Sequence, residues 1–311
     1  MEGLGRMKEK RYLYKSELFD KASHSRFLPN FFLAAIIFAV LWCGSRFLAQ
    51  YAIDLFTILF DNKKLPAGID IYIVNRLVKC SAIIGAFLLW VRFVEKRKVS
   101  TIGFQTHNLI KKYFFGFFLG FLLISLNIGF FVILGVAEFV KLERPVFNIS
   151  TMGVFVALLC GWVIQSASEE LAVRGWLLPV LGAKYNVVFS ILTTSMVFAV
   201  IHLLNPNVTI LSFVNIFLSG MFLALYAIVQ EGLWGVCGFH FAWNLALTNI
   251  YGFEISGYPS MKSLLKFKVD GPEFITGGGF GPEAGILVTI FLCAGIVILS
   301  TRIFKSKTSR I

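Results

Sequence analysis

Eight stretches of this sequence stay apolar for about 17–25 residues at a time, the length an α-helix needs to cross ~30 Å of hydrocarbon. They cover 29–50, 71–92, 113–137, 152–171, 187–204, 208–230, 233–251 and 284–303. The runs are continuous and lack the period-two alternation of a membrane barrel, so helices are expected and strands are not. Composition agrees: 57% of residues are hydrophobic and 15% charged, whereas soluble domains carry about a quarter charged residues. Mean hydropathy is +0.78. The expected fold is an all-α, polytopic membrane helix bundle of about eight transmembrane helices.

A formal charge of +12 would suggest nucleic acid in a soluble chain. Here the basic residues sit mainly in the tails and one connection. Arg6, Lys8, Lys10, Arg11, Lys15, Lys21 and Arg26 precede the first run, and Lys96, Arg97, Lys98, Lys111 and Lys112 follow the second. Arg302, Lys305, Lys307 and Arg310 end the chain. An even number of spans puts all three segments on one side, which the positive-inside rule makes cytoplasmic. The expected location is the cell membrane, with no nucleic-acid partner. The first apolar run follows a long charged segment and is too long for a signal peptide's core, so no cleavable leader is expected. Cys43, Cys80, Cys160, Cys237 and Cys293 form no C-x-x-C pair and read as packing thiols.

The organisation expected is a basic cytoplasmic tail (1–28), about three N-terminal transmembrane helices (29–150), a helical core (151–251), a glycine-rich extracytoplasmic loop (252–283), and a last helix with a basic tail (284–311). The loop ends in Thr276-Gly-Gly-Gly-Phe-Gly-Pro-Glu283. It lacks the spacing of a phosphate loop and reads as turns. Gly116 and Gly120, four apart, would let helices approach closely.

An ionisable side chain near the bilayer centre costs roughly 2.5–3.5 kcal/mol on insertion scales and needs a partner or a wet cavity. Three clusters raise that issue. In Ser168-Glu169-Glu170-Leu-Ala-Val-Arg174, Glu170 and Arg174 share a helix face and can pair. A surface ion pair at a helix end accounts for those two but not for Glu169. In Phe198-Ala-Val-Ile-His202 a lone histidine at a helix end is ordinarily a satisfied interfacial residue. In His240-Phe-Ala-Trp-Asn244 two hydrogen-bonding side chains share one face, as helix-to-helix contacts also do. Together, a carboxylate, two imidazoles and a carboxamide are enough to activate water and stabilise an oxyanion, in an intramembrane polar cavity.

The three clusters, E-E-x-x-x-R, F-x-x-x-H and H-x-x-x-N in that order, resemble the CPBP family (CAAX proteases and bacteriocin-processing enzymes, also called Abi), whose eukaryotic relatives are the Ras-converting endopeptidases. The resemblance is clearest from Gly161 to Ala246, and the glycine-rich stretch before Glu283 resembles bacterial members. One departure is Val173, where many members carry an aromatic residue. The resemblance implies a metal-independent intramembrane glutamic endopeptidase, with no cofactor. Glu169 and His202 would activate the attacking water, His240 and Asn244 would stabilise the oxyanion, and Glu170, Arg174 and Phe198 would support the site. It implies a peptide or membrane-protein substrate, prenylated or carrying a leader, and leaves room for a membrane protein partner. The rival readings are a non-catalytic scaffold or bacteriocin-immunity-type protein, a zinc protease on Glu169, His202 and His240, and a transporter. One geometric difficulty stands: spans 152–171 and 187–204 put Glu169 and His202 near opposite membrane faces unless the fourth helix runs on toward Leu181.

Overall fold

The computed structural model describes residues 16–59, 71–105, 107–142, 149–260 and 262–308. Arg6, Lys8, Lys10, Arg11, Lys15 and Arg310, invoked above for orientation, lie outside the described residues. Each apolar run folds as a helix, because only a helix satisfies every backbone N–H and C=O within the segment itself. A short helix α1 (Glu17–Ser23) leads into α2 (Phe31–Leu59), α3 (Ile71–Leu89, extended by a π turn, Trp90–Val94) and α4 (Leu109–Ile133). Next come α5 (Ile149–Glu170), a π turn (Leu171–Leu177) and α6 (Leu178–Lys184), then α7 (Val187–Ile201), α8 (Ile210–Gln230) and α9 (Trp234–Leu245, with a π turn, Ala246–Ile250). A one-turn α10 (Glu273–Thr276) and the long α11 (Ile286–Thr308) complete the chain.

Among the described residues, six helical stretches are long and apolar enough to cross a membrane. The chain is an integral membrane protein. Two of the eight expected spans are shorter: α7 has 15 residues, and α9 has 12 plus its five-residue π turn. The stretch read as 1–28 tail is not structureless throughout, since Leu18, Phe19 and Ala22 of α1 are buried and the ring of Phe19 fills the space beside Gly182.

The fourth run does not stop at 171. α5, its π turn and α6 make one apolar stretch, Met152–Lys184, because Glu170 and Arg174 are paired inside the protein and need not end the span. Tyr185 and Asn186 then reverse the chain, with Asn186 Oδ1 accepting from Phe189 N at 2.9 Å to cap α7. Glu169 lies fifteen residues before Lys184, and His202 fifteen after Val187. At 1.5 Å per residue each is about 22 Å from the same turn. The two residues therefore share one depth, which removes the difficulty of opposite faces.

Tyr185 Oη accepts from Phe31 N at 2.9 Å and brings the start of α2 to that end of the bundle. α11 runs parallel to α8: Asn215 Nδ2 donates to the carbonyls of Glu283 and Gly285, and Thr289 Oγ1 donates to Asn215 Oδ1. The start of α2 and the end of α11 thus lie at one end, together with the basic 95–112 connection. Arg97, counted above among topology-setting charges, is instead buried and pairs with buried Glu95 at 2.7 Å. Glu95 also accepts from Trp176 Nε1 at 2.6 Å and Trp90 Nε1 at 3.2 Å, tying the end of α3 to the π turn that follows α5.

One small element is not helical. β1 (Ala137–Leu142) pairs antiparallel with β2 (Leu265–Val269) at the end of the bundle away from the basic connection. β2 alternates apolar with charged residues, as half-exposed strands do; β1 does so except at a register shift between Phe139 and Lys141, and Phe139 meets Phe267 across the ladder. The expected loop 252–283 therefore has structure of its own.

α4 and α9 pack backbone to backbone. A Cβ at Gly116 would overlap the Gly235 carbonyl, and one at Gly120 the Phe239 carbonyl. Gly129, on the same α4, has nothing within 4 Å of that position. Gly116→Ala is therefore expected to destabilise the protein by about 1–3 kcal/mol or more, and Gly129→Ala to be near neutral. Thermal unfolding of both variants in detergent checks this; equal melting temperatures would mean that the helices are not in this contact.

Candidate active site

The buried Glu170 carboxylate organises the site. Arg174 Nη1 lies 3.1 Å from Glu170 Oε1, and both side chains are fully buried. His240 Nδ1, from α9, lies 2.8 Å from the same oxygen. A carboxylate only accepts, so His240 donates from Nδ1 and turns Nε2 toward Glu169, whose Oε2 is 3.9 Å away. Arg174 also stacks over the Phe198 ring at 4.1 Å.

Phe198 joins the third motif to the other two. Its ring stands edge-on to His240 at 6.4 Å and lies 4.8 Å from the His202 ring. Its carbonyl accepts from His202 Nδ1 at 2.7 Å. His202 therefore carries its proton on Nδ1 and leaves Nε2 as an acceptor. Among the described residues, His202 makes no hydrogen bond to Glu169; the two meet only as walls of one cavity.

A residue outside all three motifs connects Glu169 to Asn244. Gln165, one turn before Glu169, donates from Nε2 to Glu169 Oε1, and its Oε1 accepts from Asn244 Nδ2 at 2.9 Å. This orients both side chains: Glu169 keeps Oε2, which has no hydrogen-bond partner among the described residues, and Asn244 keeps its second amide hydrogen. Two turns before Glu169, Trp162 Nε1 donates to Asn249 Oδ1 at 2.7 Å, so the polar contact between α5 and α9 extends along the whole facing strip. A π turn follows Glu170 directly and another begins two residues after Asn244, a feature frequent at functional sites.

Gln165, Glu169, Phe198, His202, His240 and Asn244 all line one cavity of about 1240 Å³. Glu170 and Arg174 stand behind this wall. Among the described residues, no three histidine, cysteine or acidic side chains converge as ligands for one ion. Sequence reasoning passed over Gln165 because one amide carries no insertion cost comparable to a charge. It also passed over Arg46, Arg76 and Lys79, which line the same cavity; the cost argument applied to Glu169 would have found them within spans 29–50 and 71–92.

A family model described as type II CAAX prenyl endopeptidase Rce1-like matches residues 151–246. Over this segment, about a third of the chain, the sequence is similar to the Rce1-like family. No curated protein and no solved structure matches the chain. The Rce1-like segment holds every residue of the three motifs, together with Gln165. Helices outside that segment also line the cavity, through Arg46, Arg76 and Lys79 among others.

Removing Glu170 would leave a buried guanidinium and an imidazole donor unpaired. Losing one partner of a buried ion pair costs about 3–5 kcal/mol. Glu170→Ala should lower stability by that order, whereas Glu169→Gln, on the cavity surface, should leave it within about 1 kcal/mol. Denaturant unfolding of the two purified variants reads the contrast, and equal stabilities would contradict the central role of Glu170.

Proposed function

We propose that this Rce1-like protein is a metal-independent intramembrane endopeptidase acting on membrane-associated peptides through a glutamate and histidine site. The observation that carries the reading is the convergence of Glu169, His202, His240 and Asn244 on one cavity at a shared depth, with Glu169 Oε2 facing His240 Nε2 and free of hydrogen bonds among the described residues. A carboxylate in the wall of a cavity large enough for water, with one oxygen free of hydrogen bonds, is suited to take a proton from water. His202 Nε2, an acceptor by virtue of the Phe198 carbonyl on Nδ1, helps to hold that water.

Water oxygen bonds to the scissile carbonyl carbon while its proton passes to Glu169. The carbonyl oxygen becomes an oxyanion, which receives the free hydrogen of Asn244 Nδ2 and, in the doubly protonated ring, that of His240 Nε2. As the C–N bond breaks, Glu169 returns the proton to the leaving nitrogen. Glu170, Arg174, Phe198 and Gln165 are positioning residues on this scheme. A cavity of about 1240 Å³ exceeds the ~300–1,000 Å³ of ordinary small-molecule sites, which favours a peptide segment as substrate. With the basic connection turned to the cytoplasm, both chain ends lie there and the enzyme works in the cell membrane.

The test begins with membrane proteomes of cells carrying the wild-type chain or Glu169→Gln, searched for a substrate left uncut. On that substrate Glu169→Gln should lose about 10²–10⁴-fold in rate, and Asn244→Ala about 10²–10³-fold, with normal protein abundance in both. Full activity in both variants would return the motifs to a scaffolding role. Loss of wild-type activity on chelation would replace the water-activating pair with a metal.

A further inference from the structure

Three cations from outside the 151–246 segment also line the cavity: Arg46 on α2, and Arg76 and Lys79 on α3. Arg46 lies midway along the membrane-spanning helix Phe31–Ile58, and Arg76 and Lys79 lie in the first two turns of Ile73–Val94. Among the described residues, none of the three forms an ion pair with a carboxylate, although Glu17–Lys21, Glu95–Arg97 and Glu170–Arg174 do. Two are held by aromatic faces: Arg76 Cζ lies 3.8 Å from the Trp162 ring centre, and Arg46 Cζ 5.9 Å from that of Trp42. The three lie apart from the basic 95–112 connection, so a topology-setting role does not account for them.

Their position relative to the hydrolytic centre is fixed by α5. Trp162, under Arg76, is two helical turns from Glu169, about 10 Å along the axis. Cys80, next to Lys79, lies near enough to Arg46, Arg76 and Glu169 to feel all three charges. Three cations within membrane-spanning helices, two of them held against aromatic rings and all facing one cavity, call for an anion that arrives with the ligand. We propose that Arg46, Arg76 and Lys79 form an anion-binding subsite that holds one carboxylate or phosphodiester group of the bound ligand beside the scissile bond. The inference rests on the reading of the cavity as a peptide-hydrolysing site. Guanidinium groups at two of the three positions suit such an oxyanion, which they can clasp through paired N–H donors.

The experiment uses the full chain carrying Glu169→Gln in phosphatidylcholine nanodiscs, so that binding is read without turnover. The probe is an N-palmitoylated, fluorophore-labelled octapeptide of leucine, alanine and serine, made with a free C-terminal carboxylate or a C-terminal amide. A second arm measures by native mass spectrometry whether the protein retains phosphatidylglycerol over phosphatidylcholine. Binding of the acid about tenfold tighter than the amide, with the preference kept by Arg76→Lys and lost in R76Q/K79Q, identifies a peptide carboxylate. Equal binding of acid and amide, with selective phosphatidylglycerol retention that R76Q/K79Q abolishes, identifies a lipid phosphodiester. Neither preference, or a preference that R76Q/K79Q leaves intact, overturns the subsite. Because turnover plays no part, failure here leaves cleavage by the wild-type chain standing. Failure of the hydrolytic reading leaves this binding result equally untouched.

Discussion

One carboxylate oxygen, Glu170 Oε1, receives both Arg174 and His240, and the rest of the site is arranged around it. Inside a bundle, a buried charge left alone costs about 3–5 kcal/mol, a large share of a domain's stability. The pair with Arg174 makes the charges tolerable within a membrane span, and the bond from His240 fixes α9 against α5. The same two contacts decide which nitrogen of His240 faces the cavity and bring Arg174 over Phe198, whose carbonyl in turn sets the tautomer of His202. A single ion pair thereby orients two imidazoles that belong to different helices.

Depth is the second constraint, and the turn at Tyr185–Asn186 supplies it. Because α6 ends and α7 begins at one level, residues equally distant from the turn meet across the hairpin. The buried Glu95, holding Trp176 and Arg97, keeps the π turn after α5 in place from the other side. The glycine contact between α4 and α9 then sets α9 close to its neighbour. These contacts lie outside the cavity wall, yet they determine where its polar groups point.

The helical bundle was legible because hydrocarbon length and backbone satisfaction leave few alternatives. The motif residues were legible because charges and amides in apolar runs demand an explanation. Less visible was the length of the fourth span. A hydropathy reading stops at Glu169, Glu170 and Arg174, since it assigns each charge its full cost, whereas pairing removes most of that cost once the fold exists. Arg97 misled in the opposite sense: it was counted with the exposed basic residues, although Glu95 two positions earlier offered a partner. Gln165 could not be singled out, because its role depends on Asn244, seventy-nine residues away. The β1–β2 ladder was hidden by weak, short alternation in segments too polar to be read as spans.

The account's central claim is that the three motifs build one hydrolytic centre on the cavity wall. The most direct measurement is a cryo-electron microscopy structure of the wild-type chain with a peptide phosphonate, whose tetrahedral phosphorus mimics the hydrated scissile carbon. One phosphonate oxygen is expected within hydrogen-bond distance of Asn244 Nδ2 and His240 Nε2, and another beside Glu169 and His202. A phosphonate bound elsewhere, or bound in the cavity without touching Glu169, would contradict the claim.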